Sequence, residues 1–143
     1  MSHAFHVSCS EPSVPLFRLK DGRFQMTKDG PIAPFMNGFG YILIQPNLAQ
    51  FVEELDVDRV QFEPAIVWHH GKDQEFGPYL NLRVGQFFNW QMMDELDLSG
   101  YKMYSLNDTY LFVSSALKRR LEAGPFNYLC FSEGLSSFAA DLY

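Results

Sequence analysis

Cysteine is nearly absent from this chain of 143 residues, in which Cys9 and Cys130 are the only thiols. Neither stands in a Cys-x-x-Cys pair or at zinc-finger spacing from a histidine, so a scaffold held by several disulfides or a structural zinc is excluded. Long apolar runs are missing too. Phe39 to Ile44 and Ala65 to Trp68 fall far below the roughly 18 residues that span a bilayer. Met1 to Val14 has neither a cationic start nor an apolar h-region, so no secretory signal is read there and a cytoplasmic chain is expected. Positive charge is also scarce. With 11 basic against 17 acidic residues the formal charge is -6, which disfavours nonspecific attraction to nucleic acid or anionic lipid. What is abundant is apolar and aromatic material, 47% hydrophobic with 14 Phe and 7 Tyr. That composition belongs to a folded chain, and the length suits one domain.

Proline and glycine break the first forty residues into short pieces. Leu16 to Leu19 and Arg23 to Met26 predict a hairpin around Lys20-Asp21-Gly22, because Asp-Gly between apolar runs favours a tight turn. Residues 1–38 thus read as an N-terminal extension to an α+β region over 39–143.

That region contains an ungapped internal repeat at an offset of 69 residues. Tyr41 matches Tyr110, Leu48 matches Leu117, Glu53 matches Glu122 and Phe62 matches Phe131. Each copy, 41–62 and 110–131, reads as strand, helix, strand. Pro46 suits a first helical turn, where its missing N–H is no loss. Leu48, Phe51, Val52 and Leu55 then mark one helical face before Val60 to Val67 resumes as a strand. In the second copy Ser114-Ser115 offers N-cap chemistry, Leu117 and Leu121 mark the buried face, and Gly124-Pro125 stops the helix. Asn127 to Ser132 is the expected return strand. Whether the strands of a copy are neighbours stays open, since other strands can be inserted between them.

Further strands are expected over Leu80 to Val84 and Tyr101 to Leu106, and a short amphipathic helix over Leu135, Phe138, Ala139 and Leu142. The fold class is therefore α+β, a single domain with a mixed sheet, two related strand-helix-strand units and a closing helix.

Tyr41-Ile42-Leu43-Ile44-Gln45-Pro46-Asn47-Leu48, Val60-Gln61-Phe62-Glu63-Pro64-Ala65, Leu96-Asp97-Leu98-Ser99-Gly100, Tyr110-Leu111-Phe112-Val113-Ser114-Ser115-Ala116-Leu117 and Phe131-Ser132-Glu133-Gly134 carry a family resemblance. In these segments the chain resembles the small bacterial immunity proteins encoded beside polymorphic or contact-delivered toxins, a type first catalogued as a domain of unknown function. The resemblance implies an α+β cytosolic protein that binds and neutralises a cognate toxin domain. None of these segments is a catalytic fingerprint.

Two surfaces are candidates for such a partner. Glu53, Glu54, Asp56 and Asp58 cluster at the end of the first helix, either as an ordinary solvated helix end or as a docking patch for a basic toxin. Phe87, Phe88, Trp90, Met92 and Met93 crowd one segment without a clean period, either as core or as large apolar anchors of an interface. A structural protein that forms homo-oligomers through that stretch is an alternative. Lys118, Arg119 and Arg120 read as a solvated face.

The enzyme alternative centres on His69 and His70, with Asp73 and Glu75 around Gly71; the plainer reading is a solvated hairpin tip. Adjacent strand positions point to opposite faces, so the two histidines do not share a metal. Cys130, within Tyr128-Leu129-Cys130-Phe131, reads as a small buried hydrophobe. No catalytic residue, metal or cofactor follows from the sequence, which has no phosphate-binding loop and no nucleophile elbow.

Overall fold

The computed structural model describes residues 3–134, so the expected helix over Leu135, Phe138, Ala139 and Leu142 lies outside the described residues. Ten strands form in chain order: β1 (Ala4–Cys9), β2 (Leu16–Arg18), β3 (Phe24–Met26), β4 (Phe35–Gly38), β5 (Tyr41–Ile44), β6 (Val60–His69), β7 (Gln74–Val84), β8 (Met103–Leu106), β9 (Tyr110–Ser114) and β10 (Leu129–Glu133). Helix α1 (Pro46–Glu54) follows β5, and α2 (Ser115–Ala123) follows β9. No described helix is long and apolar enough to cross a membrane. The strands make two sheets, not the single mixed sheet expected. One is ordered β10-β1-β9-β8; the other is ordered β2-β3-β6-β7-β5-β4 and is mixed, because β3 runs parallel to β6.

Helices α1 at 46–54 and α2 at 115–123 have the same length and begin 69 residues apart. Around each helix a further strand separates the strand before it from the strand after it. β7 lies antiparallel between β5 and β6, and β1 lies antiparallel between β9 and β10. The registers agree as well: Leu80 sits between Ile44 and Pro64, as Phe5 sits between Val113 and Glu133. Likewise Leu82 faces Phe62 as Val7 faces Phe131.

Residues 4–38 are therefore no appendage. β1 occupies the interior of a sheet, and β4 pairs with β5 as β8 pairs with β9.

Alternation explains the layers. Ile42 and Ile44 of β5, Val7 of β1, and Leu111 and Val113 of β9 point into a central core with Leu48, Val52, Leu117 and Leu121 from the helices. Tyr41 and Leu43 face the other way, onto Val14, Leu16, Phe24 and Met26 from the N-terminal hairpin. On the outer side of the other sheet, Tyr104, Leu106 and Phe112 are covered by Phe88, Leu96 and Leu98.

Three local expectations are corrected. Ser114 stands at the N-cap of α2 but its side chain makes no capping bond, because its hydroxyl donates to the Gly100 carbonyl at 2.6 Å and accepts from the Lys102 N–H at 3.1 Å. The return strand begins at Leu129, after the turn closed by the Leu129 N–H to Phe126 carbonyl bond. Cys130 is exposed, since Leu129 takes the core side of β10 and its neighbour must face out.

Candidate functional site

Leu48, Ala49 and Val52 commit one face of α1 to the core, which leaves Glu53 and Glu54 in solvent. The chain then turns with Asp56 in the left-handed region at φ 54°. Val57, 6% exposed, hooks the turn onto the core, so Asp56 and Asp58 on either side project outward. The patch is not purely acidic. Asp58 Oδ2 lies 3.9 Å from Lys102 Nζ and 4.0 Å from Arg59 Nε.

The same turn touches the aromatic segment. Gly85 donates its N–H to the Arg59 carbonyl at 2.7 Å, and a Cβ at Gly85 would stand 3.2 Å from that oxygen. Glycine at 85 permits the approach. From there the chain runs beside β8: Ser105 N–H donates to the Gln86 carbonyl at 2.8 Å and Phe88 N–H to the Ser105 carbonyl at 3.2 Å. This short parallel bridge sends neighbouring side chains to opposite sides. Phe88 turns inward, its ring 5.0 Å from that of Phe112 and edge-on to it, and is removed from the set of partner-binding candidates. Phe87 turns outward and is 59% exposed, and Met92 beyond it is 39% exposed. Trp90 and Met93 belong to a 3-10 helix, Trp90–Glu95, whose start is capped by Asn89 Oδ1 accepting from the Gln91 and Met92 N–H groups. Their side chains lie outside what the structure describes. Thus Arg59 and Gly85 join the two sequence candidates, and the turn residues Asp56 and Asp58 sit beside the segment that presents Phe87.

The His69 region is built differently. It lies at the tip of the β6–β7 hairpin, where β3 braces β6. His69 Nδ1 accepts from the Lys72 N–H at 3.0 Å, while Nε2 donates to the Asp29 carboxylate. That hydrogen bond holds the Asp29 carboxyl below its usual range. Both ring nitrogens are occupied, so neither is left to take a proton from a substrate. The His70 ring instead stands edge-on to Trp68 at 5.2 Å. Trp68 Nε1–H donates to Asp73 at 3.1 Å, and the Arg23 guanidinium lies 4.1 Å over the indole ring. Arg23 is itself held by Asp21 at 2.8 Å, which lowers the Asp21 pKa. Charges and rings here clamp the N-terminal hairpin to the long one. Among the described residues, no group of three or more His, Cys, Asp and Glu could hold a metal ion.

Sequence reasoning missed the partners Asp29 and Arg23, which come from a distant segment. It also passed over Phe39, 98% exposed at the tip of the β4–β5 turn. The flanking Gly38 and Gly40 were the available signal for a tip. On α2, Arg119 and Arg120 are solvated as expected, whereas Lys118 is drawn inward, pairing with Glu122 at 2.8 Å and lying 4.8 Å over the Phe5 ring.

No protein-family model matches this chain, and none of the curated proteins compared with it does either.

Proposed function

We propose that the chain is a noncatalytic, cytoplasmic immunity protein of the bacterial toxin-neutralising kind, and that its partner is a cognate toxin domain. The docking surface is the turn after α1 together with the outward side of the aromatic segment. One observation supports this reading: the Gly85 N–H to Arg59 carbonyl bond joins the turn that carries the exposed Asp56 and Asp58 to the segment that presents the exposed Phe87. Carboxylates acting at a distance steer a basic partner, and a desolvated ring slows its departure. The engaged ring nitrogens of His69 weigh against the enzyme alternative.

The second strand of the proposal concerns origin. The two strand-helix-strand units are related copies of one motif, supported by equal spacing and matching registers around β7 and β1. In the second copy the middle strand has moved to the front of the chain.

The test uses the toxin domain encoded next to this gene, purified, with association and dissociation followed separately. Reversing Glu53, Glu54, Asp56 and Asp58 to Lys is expected to slow association about tenfold and flatten its salt dependence, with an unchanged melting curve. Asp58 contributes least, because Lys102 already offsets it. Phe87→Ala is expected to act on the off-rate, costing about 2 kcal/mol of binding. Wild-type protein that neither binds nor protects against that toxin overturns the proposal.

A further inference from the structure

Two small cavities among the described residues are equal in size and opposite in character. Each leaves about 10 Å³ open to the centre of a water molecule. One lies in the central core among Val7, Phe35, Ile44, Leu48 and Leu121, and its lining is wholly apolar. The other lies where β5 and β7 part beyond the Leu43–Asn81 pair and β8 of the opposite sheet comes against them. Asn81 and Ser105 line this second cavity, 2% and 1% exposed.

We infer that the second cavity is a binding site for one buried water, which links β7 of one sheet to β8 of the other through Asn81 and Ser105. Asn81 Oδ1 is already used, accepting from the Ile42 N–H at 3.2 Å where the ladder ends. Its Nδ2 amide and the Ser105 hydroxyl are both buried and find no acceptor or donor in the protein, nor do they bond to each other. A buried donor left unmatched is costly, so two such groups on residues that line one void call for a bridging partner. The void fixes the size of that partner, because about 10–15 Å³ by this measure admits a single water. Size also fixes its kind. Arg83 and Asp108 lie in the lining as well, but a void of about 10 Å³ has no room for an ion with its coordinating shell, which leaves a single neutral water. Water accepts from Asn81 Nδ2 and exchanges a hydrogen bond with Ser105 Oγ. The apolar cavity offers no such partners and stays dry.

Water-selective NOE and ROE spectra of the isotope-labelled full chain test this. The expected result is a cross-peak between water and the Asn81 side-chain amide protons whose sign inverts between the two experiments, which chemical exchange cannot produce. Ser105→Thr keeps the hydroxyl and places a methyl in the void, and is expected to abolish that cross-peak. Ser105→Gly removes the side chain without filling the void, and is expected to retain it. Absence of the signal in the wild-type protein, or its survival in a folded Ser105→Thr variant, overturns the assignment.

Discussion

The unit around β7 and the unit around β1 share their buried positions and differ where they meet solvent. Leu48 and Leu117, Val52 and Leu121, and Val57 and Phe126 are equivalent by spacing and buried in the same core. At the next position along each helix, Ala49 is 2% exposed in that core, whereas its counterpart Lys118 holds its ammonium 2.8 Å from Glu122 and 4.8 Å over the Phe5 ring. The turn after the first helix is Asp56-Val57-Asp58, and after the second it is Pro125-Phe126-Asn127. Only the first bears charge, and only the first abuts the aromatic segment. Packing thus constrains what the units share, and the freedom left at the surface is where a partner site can arise in one of them.

The largest effect that would sharpen this comparison comes from exchanging the unlike pair. Ala49→Lys forces a long charged side chain into a position that is 2% exposed, even though Glu53 stands four residues on as Glu122 does for Lys118, and is expected to cost about 3 kcal/mol or more. Lys118→Ala loses a half-exposed ion pair but gains helix propensity, for a cost of about 1 kcal/mol or less. Urea denaturation of both variants checks the asymmetry; equal losses would mean that α1 and α2 sit on their sheets alike.

A smaller effect is expected at Tyr128, the counterpart of Arg59. Its hydroxyl is buried without a partner in the protein, and burial pushes its pKa up to about 12 from an ordinary 10. A raised value means that the folded chain holds the proton longer than the unfolded one. Stability from this group is therefore intact below pH 10 and is lost as the pH rises towards about 12. Tyr128→Phe is expected to be neutral or stabilising by about 1 kcal/mol at neutral pH and to reduce the alkaline loss, read from melting curves across that window.

The smallest effect tests the permuted relation. Gly134 N–H donates to the Ala4 carbonyl at 2.7 Å, so the two ends of the described chain are neighbours. Joining 134 to 3 by a short turn and opening the loop after Met26 makes β1 follow β10 as β7 follows β6. This permutant is expected to keep its circular-dichroism spectrum and to melt within about 4 °C of the parent, a change near 1 kcal/mol. A permutant without cooperative melting would break the correspondence.

The helices and their spacing were legible because Leu48, Val52, Leu117 and Leu121 recur at helical period between turn residues. β1 was not, since Ala4-Phe5-His6-Val7-Ser8-Cys9 shows only a weak alternation and its partners lie near the other end of the chain. The split of Phe87 from Phe88 was equally hidden. It depends on a backbone bridge to Ser105, which no local pattern announces. The acidic cluster could be read from composition, but its place beside the aromatic segment needed the Arg59–Gly85 contact. Exposure of Cys130 follows from parity along β10, fixed by Leu129 facing inward.

The position of β1 also orders events during synthesis. It leaves the ribosome about a hundred residues ahead of β9 and β10, in which every backbone partner it has in the sheet lies. β4, β5, α1, β6 and β7 can assemble while it waits, because their pairings close over short stretches of chain. Contacts between such distant segments form slowly. Until β9 and β10 have been made, β1 remains an unpaired strand able to join a wrong edge, and the sheet closes around it only when β10 arrives.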